Sequence, residues 1–146
     1  MLTKEIKRYK PQLKIRSSKK STLLNLASAQ KLVENGLTPK FFDQLAHDLN
    51  INIKTFCDIV SITTRTFNRR KLEKKFNREE SDRIMRIYLL FQFAKEVLGS
   101  KEEASSWLKT PKLALNEKTP LDLAKTEIGS REVEALLGQI QHGIFS

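Results

Sequence analysis

The chain has 146 residues, 39% of them hydrophobic and 30% charged, so it is long enough for one compact domain or two small ones and too apolar for a disordered chain. Its 27 Lys+Arg against 17 Asp+Glu leave a formal net charge of +10, which favours a polyanionic partner, with nucleic acid as the first candidate. The single cysteine excludes an internal disulfide, and because neither a membrane span nor a signal peptide can be read, we expect a cytoplasmic protein.

Apolar residues recur with a helical period along nearly the whole chain, and glycine and proline number only 5 and 4. The sequence therefore predicts an all-α protein. Capping residues and helix breakers place its helices at 21–35, 39–49, 52–60, 63–75, 79–98, 100–108, 119–126 and 129–141. The helix at 79–98 carries the widest apolar stripe, from Ile84 to Leu98, which fits either the core or a subunit interface.

The helix ends rest on two kinds of residue. Small polar side chains that accept a hydrogen bond from the first turn begin most of these helices, namely Ser21, Thr38, Asn52, Thr63, Ser100 and Thr119. Glycines that tolerate a left-handed backbone end three of them, namely Gly36, Gly99 and Gly143. The last predicted helix begins at Gly129-Ser130.

The net positive charge comes from one half of the chain. Residues 1–78 hold 18 Lys+Arg and 6 Asp+Glu, a balance of +12, whereas residues 79–146 hold 9 and 11, a balance of −2. Residues 1–20 are basic and poor in apolar side chains, so we expect a flexible arm there. The predicted organisation is this arm, a DNA-binding region at 21–78 and a second helical region at 79–146 with a different partner.

A second basic cluster lies at 65–78, where seven cations are opposed by Glu73 alone. It falls on the last of several short helices joined by tight turns, which is the layout of a helix-turn-helix. A solvated helix face is the alternative reading of such a cluster. In a helix-turn-helix the last helix enters the major groove with its N-terminal residues on base edges.

The predicted recognition helix carries both base-reading and phosphate-binding side chains. Threonine, arginine and asparagine contact thymine, guanine and adenine respectively, which selects Thr63, Thr64, Arg65, Thr66, Asn68 and Arg69. Four cations that follow on the helix would contact phosphates, namely Arg70, Lys71, Lys74 and Lys75. Phe67 should face inward and hold the helix on its support.

The residue types needed for catalysis or metal binding are sparse. The chain has two histidines, His47 and His142. Neither is placed in the sequence as the base of a nucleophile–base pair, and neither has other ligands at a metal-binding spacing. Cys57 follows Phe56 in an apolar helix and is expected to be a small core residue. We therefore expect neither an enzyme nor a cofactor or metal site.

Five strings, in order along the chain, resemble the Xre/MbcA/ParS family of antitoxins. They are TRTFNRRK at 64–71, ESDRIMR at 80–86, ASSWL at 104–108 with Pro111, TPLDL at 119–123 with Thr126 and Gly129, and LGQIQHGIFS at 137–146. The resemblance covers roughly residues 37–146. It departs from the family in the loop at Asn116-Glu117, where members often have a glycine.

The resemblance implies a type II toxin–antitoxin antitoxin with two partners. Its helix-turn-helix half would bind operator DNA and repress the operon, and its C-terminal half would bind and block a RES-type toxin that consumes NAD. In that family the C-terminal segment lies over the toxin's active-site entrance. The implied toxin-binding residues are Arg131, Glu134, His142, Gly143, Ile144, Phe145 and Ser146. For the string at 80–86 we prefer internal bracing, with Arg83 and Arg86 expected to pair with buried or interface carboxylates, and we interpret Trp107 as scaffold.

Two other functions stay open at this point. One is a stand-alone transcription regulator that dimerises through its C-terminal half, because one helix-turn-helix reads only half of a palindromic site. The other is an RNA-binding or interaction module that uses the basic arm. For the apolar tail at 143–146, docking on the chain's own core is the alternative to binding a toxin.

Overall fold

A computed structural model describes residues 26–143 of the chain. The basic arm at 1–20, Ser21 and the tail residues Ile144, Phe145 and Ser146 lie outside the described residues. The helices are α1 Leu26–Asn35, α2 Pro39–Leu49, α3 Ile53–Ile59, α4 Thr64–Glu73, α5 Arg78–Leu98, α6 Lys101–Leu108, α7 Pro120–Leu123 and α8 Glu127–His142, with a 3-10 turn at Leu113–Leu115.

The described part of the chain is all-α, as the sequence predicts. Within residues 26–143 the only β-type pairing is an isolated bridge between Lys112 and Lys118. None of the helices described there is long and apolar enough to cross a membrane.

The helix ends are set by local hydrogen bonds that were readable in the sequence. The side chains of Thr38, Asn52, Thr63, Ser100 and Thr119 each accept a hydrogen bond from a backbone N–H of the first turn, which confirms all five caps. Gly36, Gly99 and Gly143 follow their helices with φ of 93°, 101° and 71°, as expected for residues that end a helix.

Three helix boundaries differ from the prediction, one of them the end of α7, which lies at Leu123 and not at Thr126. The recognition helix α4 ends at Glu73, because Lys74 takes a left-handed backbone conformation, and Lys75 lies beyond the helix. Helix α8 begins at Glu127 and not at Gly129, because the Thr126 Oγ1 accepts from the Gly129 N–H at 2.9 Å. Gly129 lies inside the first turn, where a Cβ would fall 1.9 Å from the Leu123 carbonyl oxygen.

Helix α5 forms the centre of the fold and packs against α1, α6 and α8. Its apolar stripe is buried by these neighbours, and Ile84, Ile87, Leu90, Phe91 and Ala94 are at most 1% exposed. The stripe therefore belongs to the chain's own core, and these residues are not available as a subunit interface.

Aromatic packing holds the first half of the fold together. The Phe42 ring of α2 stacks on Phe56 of α3 at 4.4 Å and lies 4.8 Å from Phe67 of α4 and 5.5 Å from Phe76. The Phe76 N–H also donates to the Leu37 carbonyl at 2.8 Å. These contacts fix the inner face of α4, as predicted for Phe67, and leave its other face exposed.

Candidate nucleic-acid interface and C-terminal helix

A tight turn joins α3 to α4. Val60 follows the last residue of α3, and Ser61 adopts a φ of 57°. The buried Ile62 then donates its N–H to the Cys57 carbonyl at 2.9 Å. Thr63 then caps α4 through its hydroxyl, which accepts from the Thr66 N–H at 3.0 Å. The arrangement is a helix-turn-helix, with α4 in the place of the recognition helix.

The outer face of α4 presents the predicted base-reading side chains to solvent, except Thr66, which is partly buried. Thr64, Arg65, Asn68 and Arg69 are exposed, whereas Phe67 is buried on the opposite side. Thr63 and Thr66 are already hydrogen-bonded to each other, with their hydroxyl oxygens 3.0 Å apart. The hydroxyl of Thr63 therefore shapes the start of the helix.

Three of the four predicted phosphate-binding cations are accessible at the end of the helix. Lys71, Lys74 and Lys75 are exposed, and the Lys71 Nζ lies 5.5 Å above the Phe67 ring. Of the outer arginines, Arg69 makes a 3.7 Å ion pair with Glu73 in which both side chains are about half exposed. Such pairs are weak in water and do not prevent an arginine from turning to DNA.

Arg70 has a different role from the one its position in the sequence predicts. Its guanidinium donates to both carboxylate oxygens of Glu80, at 2.8 and 3.0 Å, and to Glu73 at 2.7 Å. The Arg70 side chain is only 15% exposed and that of Glu80 8%. Because its charge is satisfied inside the protein, we remove Arg70 from the phosphate-binding set.

Leu72 is a residue of this face that sequence reasoning missed. It is 84% exposed, although it is apolar, and it lies seven residues after Arg65 on the same side of α4. Leu72 could have been identified from the helical period, because the period places this apolar side chain among the polar outer residues of the helix.

The string at 80–86 braces the helix-turn-helix from α5. The buried Ser81 hydroxyl accepts from the Leu37 N–H at 2.8 Å, and Arg83 donates to the Val60 and Ser61 carbonyls. Arg86 makes a 3.4 Å ion pair with Glu127 of α8. Bracing is the expected role, although Arg83 binds carbonyl oxygens where a carboxylate was expected.

Helix α8 carries the four described residues of the implied toxin-binding set. Arg131 is exposed and pairs with Glu127 at 2.9 Å. Glu134 is half-buried, and this burial raises the pKa of its carboxyl. His142 is half-buried in the last turn, and Gly143 ends the helix in an exposed position. The other three, Ile144, Phe145 and Ser146, lie outside the described residues.

Cys57 is a core residue, as predicted. It is 1% exposed, and burial followed by the neighbouring Asp58 charge raises the pKa of its thiol to about 11. His47 lies exposed at the end of α2, 3.6 Å from Asp48. Within residues 26–143 no three His, Cys, Asp or Glu side chains lie close enough to hold a metal ion.

Two family models match this chain in succession. Residues 28–87 match the antitoxin Xre-like helix-turn-helix domain, which includes α3, the turn and α4. Residues 93–143 match the antitoxin Xre/MbcA/ParS C-terminal toxin-binding domain, which includes α6 to α8. Helix α5 runs from the first match into the second.

Curated relatives give the same assignment. An "Antitoxin Xre" of Photorhabdus laumondii is 32% identical to this chain over 117 residues, which are 79% of each of the two chains. An "Antitoxin Xre" of Yersinia enterocolitica is 37% identical over 87 residues, which are 58% of this chain and 59% of that protein. A protein of Sphingobium sp. named "Prs ADP-ribosylating antitoxin" is 25% identical over 125 residues. With an all-α helix-turn-helix followed by a toxin-binding domain, the chain belongs to the Xre family of antitoxins.

Proposed function

We propose that this chain inhibits a RES-type, NAD-consuming toxin and represses its own operon through the helix-turn-helix. The observation that carries the proposal is the union, in one chain, of an exposed recognition face on α4 and a match to a toxin-binding domain at 93–143. A stand-alone regulator would need only the first of these two features.

The repressor part rests on the outer face of α4. Arg65, Asn68 and Arg69 have the donors and the length to reach base edges, and Thr64 is short enough to allow close approach. Lys71, Lys74 and Lys75 would bind phosphates on either side of the groove. Because a single helix-turn-helix covers one half-site, we propose that the chain binds its operator as a homodimer.

The toxin-binding part rests on α8 and the residues after it. Arg131, Glu134, His142 and Gly143 lie on or next to α8, and Ile144, Phe145 and Ser146 continue the chain from there. A NAD-consuming target is consistent with the Sphingobium relative, whose name joins an antitoxin to ADP-ribosylation. ADP-ribosylation takes its ADP-ribose group from NAD.

Truncation before residue 142 tests the division of labour. The variant lacking 142–146 is co-expressed with the product of the neighbouring gene, and growth, cellular NAD and operator binding are measured together. We expect neutralisation to be lost, NAD to fall and DNA binding to be retained. A stand-alone regulator predicts that the truncation leaves all three unchanged, and a neighbouring product that is harmless when expressed alone contradicts the toxin-binding part.

A matched substitution keeps the chain length unchanged. Arg131→Ala removes one exposed side chain of the implied toxin-binding set, and Glu132→Ala removes its exposed neighbour, which is outside that set. We expect Arg131→Ala to weaken toxin binding more than Glu132→Ala does, as measured by titration calorimetry. Equal effects would remove Arg131 from the interface.

A further inference from the structure

Helix α5 holds the recognition helix at its far end through a buried ion pair. The Glu80 carboxylate accepts two hydrogen bonds from Arg70, at 2.8 and 3.0 Å, and one from the Asn77 N–H at 2.9 Å. Asn77 in turn caps α5, because its side chain accepts from the Glu80 N–H. The Glu80 carboxylate is therefore held by Asn77 as well as by Arg70, and these bonds leave Arg70 little freedom to move relative to α5.

The same helix also holds the turn that precedes α4. Arg83, one turn after Glu80 on α5, donates its Nε–H to the Val60 carbonyl at 2.6 Å and its Nη2–H to the Ser61 carbonyl at 3.3 Å. Val60 and Ser61 lead directly into Thr63, the cap of α4. Helix α5 therefore contacts the recognition helix region both before its first residue and near its last turn.

We propose that Glu80 and Arg83 are positioning residues that set the angle at which α4 meets DNA, acting through Arg70 and through the turn at 60–61. The inference rests on the proposed DNA-binding function, which does not itself assign a role to α5. Neither Glu80 nor Arg83 needs to touch DNA. Their effect is on the direction of Arg65, Asn68 and Arg69.

Weak apolar anchoring explains why α4 needs such tethers. Phe67 is the one residue of α4 that is buried, so packing alone resists rotation of the helix about its axis only weakly. Base reading by bidentate side chains requires a well-defined helix orientation. Hydrogen bonds from Arg70 and the Asn77 N–H outweigh the cost of burial and hold the pKa of Glu80 below its usual range, so the tether is ionised at neutral pH.

Glu80→Gln tests the proposal, because the positioning role and electrostatics alone predict opposite changes in the affinity for a selected DNA duplex. Glutamine can keep the capping-box hydrogen bond and one bond to Arg70, but it removes a negative charge. Electrostatics alone predicts tighter DNA binding after that loss. The positioning role predicts weaker binding, about tenfold, to a duplex selected by the wild-type chain from a random library, with unchanged or tighter binding to a scrambled duplex.

Glu79→Gln is the matched control, because it makes the same charge change at the exposed neighbouring position of the same helix. We expect it to leave the ratio of selected to scrambled affinity unchanged. If Glu80→Gln behaves like Glu79→Gln, or lowers both affinities equally, the positioning role is refuted. Chemical denaturation of both variants establishes the folded fraction in each binding assay.

Arg70→Lys provides a second variant should Glu80→Gln fail to fold. Lysine keeps the positive charge but cannot donate through two nitrogens, so the positioning role again predicts a lower affinity ratio, with an unchanged salt slope. A phosphate-binding Arg70 predicts an unchanged ratio. Two controls separate the two levels of inference. If the wild-type chain prefers no duplex of the library, the DNA-binding function fails. If Arg69→Ala lowers the affinity ratio and neither Glu80→Gln nor Arg70→Lys does, the positioning role fails alone.

Discussion

Helices α4 and α8 each carry residues proposed to bind a partner, but they are held in place by different forces. Helix α4 buries Phe67 alone and is fixed at its ends by polar contacts to α5. Helix α8 buries six residues, among them Val133, Leu136 and Leu137. The orientation of α4 therefore depends on a few specific polar contacts, whereas that of α8 depends on apolar packing, which tolerates change on its outer face.

The largest effect is expected where the single apolar anchor of α4 is removed. Phe67→Ala deletes a ring that is 5% exposed and lies against Phe42 and Phe76, so we expect a loss of about 3–5 kcal/mol in the free energy of unfolding. Urea denaturation measures it. Leu72→Ala, on the exposed face of the same helix, should change stability by less than ~0.5 kcal/mol. Similar losses in both would show that Phe67 is not the anchor.

A second large effect is expected at the start of α8. Gly129→Ala places a Cβ against the Leu123 carbonyl oxygen, which is backbone and cannot rotate away, so α7 and α8 must separate slightly. We expect a loss of about 1–3 kcal/mol, together with weaker toxin binding and unchanged DNA binding. Glu132→Ala, at an exposed position of α8, is the stability control. Unchanged stability of Gly129→Ala would contradict the close packing.

Local rules predicted the helices well and the tethers poorly. Caps such as Thr38 and Asn52 and end glycines such as Gly99 act within one turn, so their effect can be read from neighbouring residues. The start of α8 was misplaced because both Thr126 and Gly129-Ser130 offer a plausible cap, and the packing of Gly129 against α7 decides between them.

The helical period predicted which residues of the candidate site share a face of α4, but not their contacts with other helices. The period places Arg65 and Arg69 on one side of α4 and Phe67 on the other, and the structure agrees. It cannot reveal that Arg70 meets Glu80, because that contact depends on the angle between α4 and α5 and spans ten residues of sequence. Phe76 was likewise missed, since it packs on Phe42 from a loop that has no period.

Substitutions of base-reading residues and of phosphate-binding residues should change DNA binding in different ways. Arg65→Ala and Arg69→Ala should each cost about 1–3 kcal/mol of binding to a selected duplex and relax specificity at one base position. Fluorescence anisotropy with duplexes substituted at each position measures this. If both variants bind as the wild type does, the RNA-binding or arm-mediated function becomes the better explanation of the basic charge.

Lys75 lies beyond the end of α4 and should act on all sequences alike. Lys75→Ala should reduce the slope of log affinity against log salt by about one unit, with no change in the preference between duplexes. Measurements at several salt concentrations give the slope. Lys118→Ala, an exposed lysine of the second half, should leave the slope unchanged. A changed base preference in Lys75→Ala would place Lys75 among the base-reading residues.

The smallest expected effect concerns how two carboxyls titrate, that of Glu134 on α8 and that of Glu80 on α5. Burial raises the pKa of Glu134, with Arg131 opposing this and Glu127 adding to it, so the folded state binds a proton more tightly than the unfolded state does. Stability should therefore fall as pH rises through the ordinary glutamate range near ~4.3 and above, until the folded pKa is passed. Glu134→Gln should remove this fall. The variant should be more stable than the wild type at pH 7 by less than ~1 kcal/mol, as measured by denaturation at pH 3.5 and 7.

The Glu80 carboxyl should act in the opposite sense. Its lowered pKa stabilises the fold above the ordinary glutamate range, and this contribution is lost as pH falls through the folded pKa. The same sign for both residues would contradict the different burial and pairing of the two carboxyls.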